Sequence, residues 1–146
     1  VTSMKLLGVK DYFIGNFTTR YFERDRQEIL QSLYDIRNEF ATIFFSDPDD
    51  HNSDHSTVGF ECLRAFKNHN LIAYGSPFNS LHLKENYFCE LSAEHLLKKI
   101  DAIKCYKSQS HRTYMQPSVI EAQAITRGLQ CGFKYAEAFK IIKLRS

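Results

Sequence analysis

The chain of 146 residues contains no tryptophan, only three prolines, and six glycines that stand apart from one another. Without a Gly-rich loop, the sequence offers no phosphate-binding loop of the nucleotide-binding type. No apolar run approaches the roughly 18 residues of a membrane span, and no linker rich in Pro, Gly or Ser divides the chain. These absences predict a single α/β domain over residues 1–146 with no membrane span.

No excess of one charge marks a nucleic-acid partner. The 19 basic and 17 acidic residues are intermixed, which leaves a formal charge of +2. A hydrophobic fraction of 43% with 25% charged residues is typical of a soluble globular protein. The composition therefore predicts a folded domain that does not bind nucleic acid.

Cysteine pairs at metal-binding or redox spacing are also missing. Cys62, Cys89, Cys105 and Cys131 lie far apart, and no C-x-x-C pair or signal peptide accompanies them. This spacing indicates reduced thiols, as expected of a cytoplasmic protein.

Helical spacing and short apolar runs alternate in the first half of the chain. A capping-box pattern at Asp25–Glu28 predicts a helix from Arg26 to Glu39, and the apolar run 41–45 predicts a buried strand. A helix over about 54–67 and a strand at Leu71–Tyr74 follow. The alternation predicts an α/β, Rossmann-like fold, a mainly parallel sheet with helices on both faces.

Two further expectations concern this sheet. Ile43 to Phe45 is expected as an inner strand, and Phe44, Phe45, Phe66 and Phe139 are expected in the core because they fall in apolar patterns. The loop from Asp47 to His55 is expected at the carboxyl edge of that strand, where α/β sheets bind ligands.

The second half of the chain contains the remaining predicted elements. They are a strand at Tyr87–Leu91, a helix capped by Ser92 and running to about Tyr106, a helix opened by the capping box Ser118–Glu121 and closed by Gly132, and a last strand at Ala138–Leu144.

The polar loop after the first strand carries the residues of greatest chemical interest. His51, Asp54 and His55 have the nitrogen and oxygen donors that zinc accepts. A catalytic zinc usually takes three protein ligands, so a further donor would have to come from elsewhere. The alternative is a solvated polar loop in which Asp54 or Ser53 caps the next helix.

The pattern Asp49-x-x-Asn52-x-Asp54-His55 after an apolar strand resembles the second motif of the PIG-L/LmbE-like zinc-dependent N-deacetylases. Further segments agree with that family in order and spacing over nearly the whole chain. They are Leu7-Gly8-Val9, Tyr106-Lys107-Ser108-Gln109, Arg127-Gly128 and Tyr135-Ala136-Glu137-Ala138-Phe139.

The resemblance implies hydrolysis of an N-acetyl group on an amino sugar or a related small molecule. Zinc in that family polarises the acetyl carbonyl and activates a bound water, while a carboxylate acts as general base. His55 matches the family's metal ligand, and Asp54 matches a position that orients neighbouring imidazoles.

Two departures from the family pattern bear on catalysis. Asn52 stands where family members often carry a histidine that stabilises the oxyanion, and His51 is the candidate to replace it. The candidate catalytic residues are therefore Asp54, Asn52 and His51.

The second departure concerns the family's first motif, His-Pro-Asp-Asp. The segment Asp47-Pro48-Asp49-Asp50 resembles it by eye, but it has Asp where the motif has His and it lies inside the second motif. The chain, which begins Val1-Thr2-Ser3-Met4, is thus expected to represent the C-terminal two thirds of a deacetylase and to be inactive alone. We also expect an unpaired strand edge unless the missing N-terminal segment or a companion chain covers it.

Four residues outside this loop are candidates for substrate binding. His82 follows a predicted strand, and Ser108, Gln109 and Arg112 follow a predicted helix, where they could bind a sugar hydroxyl or phosphate. Their structural alternatives are a surface histidine and residues that fix a loop. The alternative function is a non-catalytic α/β domain that binds a carbohydrate or a nucleotide.

Overall fold

The computed structural model describes residues 1–145 of the chain. None of the helices in this range is both long and apolar enough to cross a membrane. In chain order the helices and strands are α1 (Thr2–Leu7), α2 (Arg26–Ile36), β1 (Thr42–Ser46), α3 (Ser53–Ala65), β2 (Asn70–Tyr74), β3 (Tyr87–Glu90), α4 (Ala93–Lys104), α5 (Pro117–Cys131) and β4 (Ala136–Lys143).

The described residues form two compact units, each built from separate stretches of chain. The strand unit consists of Gly15–Tyr87 with residues 139–145, and the helical unit consists of Val1–Ile14 with Phe88–Ala138. Every residue of the loop that follows β1 belongs to the strand unit.

The four strands follow the order β1-β2-β4-β3 in a mixed sheet. Strand β1 is parallel to β2, with Ser46 opposite Tyr74 at the carboxyl end of both strands. Strand β4 runs antiparallel to β2, with a register irregularity between Leu71 and Ile72. The α/β fold class predicted from the sequence is confirmed, and the loop after β1 lies at the carboxyl edge of the sheet as expected.

The expectation that Ile43 to Phe45 forms an inner strand is wrong for the described chain, because β1 is the outermost strand of the sheet order. Phe44 is 53% exposed and packs edge-to-face on Phe139, whereas Phe45 is buried on the opposite face. An apolar run alone does not reveal which strand has a neighbour on each side.

The core of the strand unit lies between the sheet and helices α2 and α3. Its buried members are Leu30, Phe45, Cys62, Ala65, Phe66, Leu71 and Ala73. Apolar residues spaced along α2 and α3 contribute to this core, which is the reason their helical periodicity was visible in the sequence.

A buried ionic contact joins α2 to α3. The carboxylate of Glu61 is fully buried, and it accepts hydrogen bonds at 2.7 Å from Arg26 Nε and Arg64 Nη1. The two guanidinium groups remain about half exposed, so they keep water contacts while they neutralise the buried charge. Both oxygens of Glu61 are thereby satisfied, as burial of a charge requires.

The helical unit has its own smaller core, formed by Leu96, Ile100, Ile120 and Ala124 from helices α4 and α5. Helix α1 packs on α4, where the Ser3 hydroxyl donates to the Tyr106 hydroxyl at 3.2 Å.

Predicted helix ends differ from the observed ones where proline or a turn competes. Ser92 caps α4 through a hydrogen bond from His95 N–H, and Gly132 closes α5 with φ of 83°, both as predicted. Ser118 does not cap α5. The helix begins at Pro117, one residue before Ser118, and Gln116 is in the cap position. Helix α2 ends at Ile36, and residues Arg37–Glu39 continue as a 3₁₀ turn.

We predict that Glu61→Gln lowers the free energy of unfolding by about 2 kcal/mol, because it removes the buried charge that pairs with Arg26 and Arg64. Urea unfolding followed by circular dichroism measures the effect. Glu39→Gln is the matched control, since Glu39 is exposed. Equal stability of the two variants would show that the ionic contact contributes nothing.

Burial raises the pKa of the Cys62 thiol to about 12, with a further contribution from the Glu61 charge. The neutral thiol is favoured, so at pH 8 the reactive thiolate is roughly one part in ten thousand. We predict that iodoacetamide labels the exposed Cys89 in the folded chain while Cys62 reacts only after unfolding. Peptide mass mapping would contradict this if both thiols were labelled at the same rate.

Candidate functional site

Two loops leave the carboxyl ends of the parallel strands β1 and β2. The first, residues 47–52, leads into α3, and the second spans residues 75–86. The N–H of His51 in the first loop donates to the carbonyl of Asn79 in the second, at 3.2 Å. Neighbouring parallel strands therefore bring the two loops together, at the position where open α/β sheets bind ligands.

The carboxylate of Asp50 is the polar centre of this site. Its side chain is only 1% exposed, and its Oδ1 accepts from the Asn52 N–H at 2.8 Å. Its Oδ2 accepts from the Ser80 hydroxyl at 2.8 Å and contacts His55 Nδ1 at 3.3 Å. One buried carboxylate thus connects the first loop, the second loop and the first turn of α3.

The same contacts define the tautomer of His55. An ionised carboxylate only accepts hydrogen bonds, so Nδ1 of His55 is the donor toward Asp50, and in the neutral imidazole Nε2 then keeps the lone pair. The backbone carbonyl of His55 accepts from the Ser46 hydroxyl at 2.7 Å, which fixes the residue to the end of β1. His55 is therefore an oriented imidazole whose second nitrogen can bind a cation or accept a proton.

The cap of α3 is Asn52. Its side-chain oxygen accepts from the N–H groups of Asp54 at 3.0 Å and His55 at 3.4 Å. The expectation that Asp54 or Ser53 caps this helix is wrong, since the helix already begins at Ser53. The amide NH₂ of Asn52 is the group left to donate to a ligand.

Asp54 has a different set of partners from the one that the family resemblance implies. It is buried, and its carboxylate accepts from the N–H of Arg20 at 2.6 Å and of Phe22 at 3.3 Å. Arg20 has φ of 74°, a left-handed conformation that costs a non-glycine residue of order 1 kcal/mol or more. Asp54 therefore anchors the segment before α2, and the imidazole of His55 is oriented by Asp50.

The rings of His51 and His82, one on each loop, lie close together. Their ring centroids are 5.8 Å apart with the planes tilted by 54°, and both residues are exposed. The sequence singled out each histidine separately, and the structure brings them together.

Tyr74 ends β2 beside this site. Burial raises the pKa of its hydroxyl, and the charges of Cys62 and Asp50 add to that increase. The raised pKa extends to higher pH the range in which the phenol is neutral.

The segment Asp47-Pro48-Asp49-Asp50 forms a turn at the end of β1, in which the Asp50 N–H donates to the Asp47 carbonyl at 3.1 Å. Asp47 is 1% exposed and its Oδ1 accepts from the Asp49 N–H at 3.2 Å. Helix α3 approaches this turn at Gly59, where an added Cβ would lie 2.6 Å from the Ser46 carbonyl oxygen and 2.9 Å from Pro48 Cα.

The donor set of the described chain does not make a zinc centre by itself. No group of three or more His, Cys, Asp or Glu side chains in residues 1–145 is arranged to hold a metal ion. His55, with Nε2 available and Nδ1 held by a carboxylate, has the arrangement of a single metal-binding imidazole.

Ser108, Gln109 and Arg112 belong to the helical unit. Ser108 and Gln109 lie in the 3₁₀ turn Lys107–Gln109, and the Arg112 N–H donates to the Gln109 carbonyl at 2.9 Å. Ser108 and Arg112 are exposed and Gln109 is half-buried. Their proposed contact with substrate stays a prediction.

Sequence reasoning missed the roles of Asp50 and Ser80. Asp50 was visible as an acid in the loop, but its burial depends on the second loop, which is remote in sequence. Ser80 lies in a segment without periodicity, and no local signal pairs it with Asp50.

No protein-family model matches the chain, and none of the curated proteins matches it in sequence. Solved structures do resemble it. The conserved protein TT1542 from Thermus thermophilus superposes with a TM-score of 0.73 at 17% identity, over 99% of this chain and 72% of that one. The N,N'-diacetylchitobiose deacetylase from Pyrococcus horikoshii superposes with a TM-score of 0.75 at 21% identity, over 97% of this chain.

This chain spans 60% of the length of the Pyrococcus deacetylase. At such low identity the likeness establishes a shared α/β fold. A shared fold does not by itself establish a shared function.

We predict that Gly59→Ala lowers the free energy of unfolding by about 1–2 kcal/mol, because the new methyl group meets backbone atoms of Ser46 and Pro48. The better helix propensity of alanine offsets the clash by about 1 kcal/mol. Thermal unfolding, with Ser56→Ala on the same helix as control, measures the loss. A more stable Gly59→Ala variant would mean that α3 does not press on the turn.

Proposed function

We propose that this chain forms the greater part of a metal-dependent N-deacetylase domain, in which His55 is one zinc ligand. The observation that carries the proposal is the contact between the buried Asp50 carboxylate and His55 Nδ1 at the carboxyl edge of the sheet. Carboxylate-oriented imidazoles are typical of metal sites. The fold shared with the Pyrococcus chitobiose deacetylase supports the same interpretation.

The substrate class that we propose is an N-acetylated amino sugar or a related small molecule. The exposed groups around His55 suit a hydroxyl-rich ligand, since the two loops present imidazoles and the amide of Asn52. The proposal places His82 at the rim of the substrate site and His51 with Asn52 beside the reacting amide. The remaining zinc donors and the general base come from outside residues 1–145, in the same or a companion polypeptide.

A second candidate is a non-catalytic α/β domain that binds a carbohydrate or a nucleotide. It is favoured by one observation, namely that residues 1–145 hold no group of three metal donors. Such a domain keeps the two loops and the oriented His55 as hydrogen-bonding groups, and it needs no zinc.

We predict that the product of the complete reading frame retains zinc through dialysis and that His55→Ala loses it. Asp50→Asn removes the carboxylate that orients the His55 imidazole. This variant should weaken zinc binding by about 10–100-fold. Mass spectrometry of bound metal gives the stoichiometry. His95→Ala, an exposed histidine on α4, is the matched control.

Acetate release from N-acetylglucosamine and N,N'-diacetylchitobiose, measured on the same proteins, separates the two functions. The deacetylase proposal requires release by the complete product, loss of release in His55→Ala, and no release by the 146-residue chain alone. Sugar binding without zinc or acetate release would favour the binding domain. Zinc content that is unchanged in His55→Ala would remove His55 from the proposed role.

A further inference from the structure

We propose that His51 and His82 form a second, separate binding site for a divalent transition-metal ion such as Ni²⁺ or Zn²⁺. The juxtaposition that carries this proposal is the pair of exposed imidazoles, one from each loop, with ring centroids 5.8 Å apart. The site uses residues other than His55. The proposed deacetylase function also places His51 and His82 beside its substrate, but metal binding by this pair requires neither zinc at His55 nor deacetylase activity.

The spacing of the two rings suits one shared ion. A metal bonded to one nitrogen of each imidazole at ~2.1 Å would place the ring centroids about 5–6 Å apart. The observed separation lies in that range, and the tilt of 54° excludes a stacked arrangement in which the ring faces would meet. Water molecules would complete the coordination of an ion held by two protein ligands.

The loops that carry the two histidines are fixed before any ion binds. The N–H of His51 donates to the Asn79 carbonyl, and the Ser80 hydroxyl donates to the buried Asp50 carboxylate. Ser80 Oγ also accepts from the Ser76 N–H at 2.9 Å. An ion therefore meets loops that are already held together, which lowers the entropy lost on binding.

The charge around the pair favours a cation over an anion. The first loop contains Asp47, Asp49 and Asp50 within four residues, and Asp49 is exposed. The exposed carboxylate of Asp49, two residues before His51, would repel a phosphate or carboxylate and attract a divalent cation. Imidazole donors in turn select Ni²⁺, Cu²⁺ or Zn²⁺ rather than the oxygen-seeking Mg²⁺ or Ca²⁺.

Isothermal titration of the tag-free, metal-stripped 146-residue chain with Ni²⁺ tests the proposal. We expect one saturable site per chain, and His51→Gln and His82→Gln should each weaken binding by about tenfold or more. The double variant should lose saturable binding at this site, because neither imidazole remains to hold the ion. His95→Gln is the surface-histidine control and should leave the affinity unchanged.

His55→Ala distinguishes this site from the proposed zinc ligand. Ni²⁺ binding that survives His55→Ala and falls in His51→Gln and His82→Gln supports a separate two-histidine site. The absence of saturable binding by the unaltered chain, unchanged affinity in the double variant, or equal loss in His55→Ala would each overturn it. Failure of the deacetylase proposal alone would leave these titrations unaffected.

Discussion

The buried carboxylate of Asp50 is the interaction on which the site depends. It accepts from Asn52, Ser80 and His55, and these three residues belong to the first loop, the second loop and helix α3. An unpaired buried charge would cost several kcal/mol, so the two loops must meet for Asn52 and Ser80 to satisfy both oxygens of the carboxylate. The geometry of the histidines is a consequence of that requirement.

Helix α3 reaches Asp50 because two other contacts fix its position. Glu61 in its centre pairs with Arg26 of α2, and Gly59 lets the helix backbone approach the turn after β1 without a side chain between them. Both positions break the usual helical preference for exposed acids and for alanine over glycine. Each departure is explained by what the helix must touch. Together the two contacts position α3, whose first turn carries His55.

The sequence predicts this fold well where the spacing of apolar residues reflects burial. It predicts poorly the contacts between strands or loops that lie far apart in the sequence. Helix α3 and strand β2 were predicted because apolar residues such as Cys62 and Leu71 mark one buried face. The edge position of β1 was missed, because the exposed Phe44 looks the same in sequence as the buried Phe45. His55 was found through a local pattern, while the contact of Asp50 with Ser80, thirty residues away, left no signal in either segment.

The contact between Asp50 and His55 is better explained by function than by stability. At 3.3 Å, with the imidazole 44% exposed, it adds little to the free energy of folding. Asn52 and Ser80 already satisfy the carboxylate, so packing does not require a histidine at this position. What the contact does supply is a defined tautomer with Nε2 directed away from Asp50. A group held in one tautomer at a solvent-accessible sheet edge is suited to bind a cation or transfer a proton.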